Sequence, residues 1–145
     1  MTDAPILLAE DNPDDVLLTR RAFAKNGFGN RIVAVSDGEE CLEMLLPEHG
    51  GQGLAPALVL LDINLPKISG LEVLGRLRAD ARTWLLPVIV LTTSRERRDI
   101  LNCYLAGANS FVCKPVSFAS FVSMAGTLAK YWLEVNEPCP DPGAP

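Results

Sequence analysis

Short apolar runs recur five times along this chain, and the residues between them keep a different period. The runs are Ile6-Leu7-Leu8-Ala9, Ile32-Val33-Ala34-Val35, Ala57-Leu58-Val59-Leu60-Leu61, Val88-Ile89-Val90-Leu91 and Ser110-Phe111-Val112. Three of them show no alternation of polar and apolar positions, the pattern of strands covered on both faces in a parallel sheet. The intervening segments carry helical spacing: Leu18, Ala22 and Phe23; Leu42, Leu45 and Leu46; Leu71, Leu74 and Arg78 alternating with Val73 and Leu77; Ile100, Cys103 and Tyr104. The last helix places Phe118, Val122, Ala125, Ala129 and Trp132 on one stripe and Phe121, Met124, Leu128 and Tyr131 on a second. Start signals agree, with capping-box spacing at Ser36-x-x-Glu39 and Ser69-x-x-Glu72, and Gly27 and Gly107 stand where helices end. Five strand–helix units predict an α/β domain with a doubly wound, five-stranded parallel sheet.

Residues 1–135 are expected to form that one domain. Residues 136–145 hold four prolines and predict a disordered Pro-rich tail. The stretch Pro47 to Pro56 reads as a loop. No run of 18 apolar residues is present, and no basic segment leads into an apolar stretch, so neither a membrane span nor a signal peptide is expected. Thirteen basic against 18 acidic residues give a net charge of −5, the wrong sign for a general nucleic-acid binder. Cys41, Cys103, Cys113 and Cys139 lack C-x-x-C spacing and His49 is the one histidine, which argues against a zinc site and for free thiols in a reducing, cytoplasmic setting.

In an open α/β sheet, ligands bind beyond the carboxyl ends of the strands. Glu10 and Asp11 follow the first strand, Asp62 ends the third, Thr92, Thr93 and Ser94 end the fourth, and Lys114-Pro115 follows the fifth. Asp14 and Asp15 read best as helix-start carboxylates favoured by the dipole, with Asn12 or Asp11 as the cap. No phosphate-cradling glycine motif occurs, and the acidic first turn repels phosphate where a nucleotide fold would hold it. Two carboxylates ~4 Å apart repel by about 4 kcal/mol at an effective dielectric near 20. A hard divalent cation relieves that repulsion, and Mg2+ takes one or two carboxylates plus waters and phosphate oxygens. Beside such an ion, Asp62 suits a nucleophile toward phosphorus, Lys114 balances phosphoryl charge and Thr92 donates a hydrogen bond.

Leu8-Ala9-Glu10-Asp11-Asn12, Leu60 to Gly70, Val90-Leu91-Thr92-Thr93 and Val112-Cys113-Lys114-Pro115, with their spacing, resemble the receiver domain of two-component response regulators over residues 5 to about 134. The resemblance implies a flavodoxin-like receiver fold. It also implies phosphoryl transfer to Asp62 from a phosphohistidine on a sensor histidine kinase. Glu10 and Asp11 would form the acidic pocket, and Asp11, Asp62 and the main-chain carbonyl of Asn64 would hold Mg2+. Thr92 and Phe111 would form the switch, and the Lys114–Pro115 peptide would be cis. Phe111 stands at the aromatic switch position without a hydroxyl, so it repacks by volume alone, and Glu10 stands where many members have aspartate.

No output domain is expected after the fifth helix. Asp11-Asn12-Pro13-x-Asp15, the long loop before the third strand, Leu91-Thr92-Thr93-Ser94 and Tyr131-Trp132-Leu133-Glu134 resemble the stand-alone regulators paired with bacterial phytochrome kinases. Two apolar stripes on the fifth helix lead to an expected homodimer through the fourth helix, fifth strand and fifth helix, with Tyr104 joining. Two other functions fit less well. A metal-dependent phosphohydrolase with Asp62 as nucleophile wants a proton donor where Asn64 stands. A receiver-fold scaffold that is never phosphorylated has no use for the full acidic set. Slow loss of the phosphoryl group would be the only turnover expected of a receiver.

Overall fold

The computed structural model describes residues 3–140. Five strands, β1 (Ile6–Ala9), β2 (Ile32–Val35), β3 (Leu58–Leu61), β4 (Val88–Thr92) and β5 (Ser110–Cys113), alternate with α1 (Pro13–Lys25), α2 (Gly38–Leu45), α3 (Gly70–Ala79), α4 (Arg97–Leu105) and α5 (Phe118–Lys130). All pairings are parallel, in the order β2-β1-β3-β4-β5. The unalternating runs are explained by cover on both faces. Ile6 and Leu8 point toward a core with Phe23, Phe121 and Ala125, while Leu7 and Ala9 point into a second core with Cys41, Leu45, Val73 and Leu77. Cys41 and Cys103 are buried free thiols and Cys139 is an exposed one. Burial, with Glu40 and Asp37 nearby, pushes the Cys41 thiol up to about 12, so it stays protonated.

Helix starts follow their caps. Asn12 accepts from the N–H groups of Asp14 and Asp15, and Ser69 accepts from Glu72 N at 3.2 Å. At α2 the expected box is displaced by one residue. Asp37 is the cap, accepting from Glu40 N at 2.7 Å, and Ser36 donates to the Glu40 carboxylate. Both Ser36 and Asp37 have an acid three residues on, so spacing alone leaves the two registers equal. Gly27 and Gly107 end α1 and α4 with φ of +87° and +106°, conformations that a Cβ disfavours.

Two expectations are corrected here. In α5 the core line is Phe121, Ala125, Ala129 and Leu133, with Val122, Met124, Leu128 and Trp132 packed beside it, while Phe118 is 39% exposed. The two stripes therefore do not divide into a packed face and an exposed one, because residues of both are covered. The reason is that α5 packs on α1 as well as on the sheet: Asn26 Nδ2 donates to Val122 O at 3.1 Å, and a Cβ on Gly126 would lie 2.6 Å from the Asn26 side chain. The second correction is that the Lys114–Pro115 peptide is trans, like every peptide bond among the described residues. The isomers of an X–Pro bond differ by only about 0.5–1 kcal/mol, so the sequence leaves the choice to context.

A π-helical turn, Tyr131–Val135, extends α5, and residues 136–140 run on without regular structure. The remainder of the expected tail, residues 141–145, lies outside the described residues. No helix among the described residues is long and apolar enough to cross a membrane.

Candidate functional site

The strand order reverses direction between β1 and β3, and the crevice at such a point is where doubly wound folds hold ligands. Register delivers the acidic residues there. Ala9 pairs with Leu61, so Glu10 and Asp62 leave the sheet side by side, and Asp62 N donates to Ala9 O at 3.1 Å. Thr92 pairs with Cys113, and Lys114 N donates to Thr92 O at 2.7 Å.

Glu10 is buried. Its Oε1 accepts from Lys114 Nζ and its Oε2 from Asn12 N at 3.2 Å. Asp62 is nearly buried; its Oδ1 accepts from Asn64 N at 3.1 Å, and its Oδ2 lies 3.5 Å from Lys114 Nζ. Asp11 is exposed, yet one oxygen from each of Glu10, Asp11 and Asp62 falls within a 4.8 Å cluster. Lys114, its side chain 8% exposed, also reaches Asp15 Oδ2 at 3.3 Å. Thr92 is fully buried, and its Oγ1 accepts from Ser94 N at 3.4 Å. Phe111 lies two residues before Cys113, so it shares a sheet face with Thr92.

The electrostatics follow from this crowding. Burial, aided by the Asp62 charge, holds the Glu10 carboxyl above its ordinary range, although its bond to Lys114 and that cation's charge pull the other way. For Lys114, burial opposes the charged form, but the hydrogen bond and charge of Glu10, then Asp62 and Asp15, outweigh it, so its ammonium titrates above the ordinary lysine range. Three carboxylates, Glu10, Asp15 and Asp62, thus face one ammonium, and a fourth, Asp11, stands beside Glu10 and Asp62. An all-oxygen donor set with excess negative charge fits a hard divalent cation.

Glu10, Asp11, Asp62 and Lys114 are brought together as expected from the strand ends. The Asn64 backbone is tied to Asp62, and Thr92 is joined to the group through main chain. Asp15 is the residue that sequence reasoning placed elsewhere: it does sit in the first turn of α1, but that turn starts at the site, so its side chain reaches Lys114 as well. A cleft of about 470 Å3 opens at the opposite end of the sheet, among Trp84, Trp132, Pro138 and Cys139, and no carboxylate side chain lines it.

This fold and acidic crevice define a phosphoryl-receiving class, and the chain belongs to the response regulator receiver domain family, matched over residues 6–125. The family is one of signalling proteins rather than classical enzymes, works with histidine kinases and binds a divalent metal. Within it, the chain is similar to phytochrome-linked regulators. The structure of the phosphorylated cyanobacterial phytochrome response regulator RcpA is 30% identical, with a TM-score of 0.85 covering 96% of this chain and all of that one. Response regulator Rcp1 of Synechocystis is 29% identical over 130 residues, 89% of this chain and 88% of Rcp1. The Mn(2+)-bound structure of Rcp1 superposes with a TM-score of 0.82 at 28% identity, over 94% of this chain and 99% of that one. The probable methanogenesis regulatory protein FilR2 of Methanothrix harundinacea is 40% identical over 131 residues, 90% of this chain and 84% of FilR2.

Proposed function

We propose that Asp62 is the phosphoacceptor of a response regulator served by a sensor histidine kinase of the bacterial phytochrome type, in a Mg2+-dependent transfer. The observation that carries this reading is the Asp62 carboxylate, 3.5 Å from Lys114 Nζ and in one oxygen cluster with Glu10 and Asp11. Glu10, Asp11, Asp62 and the carbonyl of Asn64 would hold Mg2+, which when bound neutralises this cluster and the phosphoryl oxygens. A carboxylate oxygen of Asp62 attacks phosphorus, and the bond to the imidazole nitrogen breaks with its electron pair leaving on the imidazole. Asn64 N holds the other orientation of the carboxylate fixed. Lys114 Nζ and the Thr92 hydroxyl donate to the phosphoryl oxygens, and Thr92 is drawn from its resting place as Phe111 repacks on the same sheet face. The phosphohydrolase reading is the weaker one, because Asn64 offers no carboxyl proton and its N–H is already engaged.

Incubation with acetyl phosphate and Mg2+, followed by intact-protein mass measurement, tests this. The expected result is a slowly decaying adduct that disappears in Asp62→Asn and falls to background on chelation. Rapid multiple turnover would support the hydrolase, and no adduct with no metal binding would support the scaffold.

We further place a second copy of the chain against α4, β5 and α5. Leu101 and Leu105 of α4, 59% and 75% exposed, stand with the exposed Tyr104 on that helix. Sedimentation at tens of micromolar is expected to show dimers; only monomers, with and without a phosphoryl mimic, would overturn this. The working compartment on this reading is the cytoplasm, with proteins rather than nucleic acid or membrane as partners. Residues 1–135 form the receiver unit, with 136–145 as an appendage.

A further inference from the structure

The cleft between Trp84 and Trp132 lies at the end of the sheet away from Asp62, so the transfer proposed above makes no use of it. Its volume, about 470 Å3, is that of a small-molecule site. Its walls are tied in place. Arg82 bonds both oxygens of Asp80 through Nε and Nη2, each at 3.0 Å. Its Nη1 donates to Pro47 O at 3.2 Å and Gly51 O at 3.1 Å, which pins the long loop before β3. Arg78 Nη1 donates to Trp84 O at 3.2 Å and Leu86 O at 2.7 Å, which pins the segment that carries Trp84. On the third side Asn136 N donates to Tyr131 O at 2.6 Å, and from there the chain runs on to place Pro138 in the lining. Walls already bonded in this way have little ordering left to do when a ligand enters.

We infer that this cleft binds a neutral, flat heteroaromatic molecule of the nucleobase type. Charge is the first reason. Among the described residues no carboxylate side chain lines the cleft, and the one cation that does, Arg82, is committed to Asp80 and two carbonyls. An ionic ligand finds no free counter-charge there. Aromatic surface is the second. Trp84 and Trp132 both line the cleft, and Trp84 is 50% exposed, an open ring on which a flat ligand stacks. The third reason is polar. The side-chain amides of Gln52 and Asn136 line the cleft and make no hydrogen bond among the described residues. Each offers two donors and an acceptor, the set that pairs with the edge of a purine. A purely apolar ligand would cover these amides without satisfying them. The site stands whether or not Asp62 takes a phosphoryl group.

The chain has two tryptophans and both line the cleft, so tryptophan fluorescence reads this site alone. Titration with adenosine, a purine on a neutral sugar, is expected to quench it saturably, with half-saturation below about 1 mM. Trp84→Leu, with Trp132 left as reporter, is expected to raise the half-saturation point about tenfold through lost stacking. Gln52→Ala and Asn136→Ala are each expected to raise it about threefold to tenfold, as for one neutral hydrogen bond. Adenosine monophosphate is expected to bind no more tightly than adenosine, because no free cation awaits its phosphate. Quenching that never saturates, or that all three substitutions leave unchanged, is collisional and overturns the site. Tighter binding of the monophosphate overturns the neutral class of ligand. Phosphoryl uptake from acetyl phosphate is expected to be unchanged in the three variants, since they lie at the other end of the sheet. If the unsubstituted protein takes up none, the phosphoacceptor reading fails, while the titration still decides this one.

Discussion

Lys114→Met is expected to destabilise the protein by about 3–5 kcal/mol at neutral pH, because it leaves Glu10, Asp62 and Asp15 facing one another without their shared cation. The deficit should depend on pH in a particular direction. Glu10 already titrates above its ordinary value through burial, and loss of Lys114 removes the main influence holding it down. A carboxyl with a raised folded-state pKa contributes stability that is present below its unfolded value of 4.5 and is lost as pH rises through the folded value. The gap between Lys114→Met and the unsubstituted protein should therefore narrow as pH falls from 7 toward 5. Lys114 itself, raised by its carboxylates, contributes stability that is present below 10.5 and lost only as pH climbs through its higher folded value. Urea denaturation at several pH values reads both effects. A deficit independent of pH would show that Glu10 does not carry the strain.

Gly70→Ala should damage fold and site together. A Cβ at this position would lie 2.2 Å from the carbonyl oxygen of Asp62 and 2.7 Å from Ile63 Cα, both main-chain atoms that cannot swing aside. Gly70 N also donates to Ile63 O at 3.0 Å, so the start of α3 is stitched to the two residues that carry the nucleophile. The expected cost is about 3 kcal/mol from overpacking, with phosphoryl uptake from acetyl phosphate falling by at least about tenfold as Asp62 is displaced. Gly75→Ala is the control. Nothing lies within 4 Å of its added Cβ, and in the middle of α3 an alanine should stabilise by about 0.5–1 kcal/mol. Unchanged uptake in Gly70→Ala would mean that the loop after β3 can shift without moving the carboxylate.

The strand runs and the acidic residues that end them were legible because burial on both faces and delivery to a sheet edge are local properties of a run of residues. The cap of α2 was not, since Ser36-x-x-Glu39 and Asp37-x-x-Glu40 satisfy the same spacing and only the packed position of α2 separates them. The face of α5 was misjudged for a related reason. Both of its stripes are apolar, and choosing Phe121 over Phe118 for the core depends on where α1 lies, through Asn26 and Gly126. Asp15 looked like an ordinary helix-start carboxylate because it is one; its contact with Lys114 joins residues 99 positions apart.

By itself the sequence determined the order of strands and helices, the two-sided burial of the sheet, and the carboxylates, threonine and lysine at its carboxyl edge, for these are written in the period of the apolar residues and in what ends each run. Only the tertiary structure decided that Lys114 bridges Glu10, Asp62 and Asp15, that α5 turns Phe121 inward, and that the Lys114–Pro115 peptide is trans. Those outcomes turn on contacts between separate elements, where differences of a few tenths of an ångström or about 1 kcal/mol select among arrangements that local spacing leaves equal.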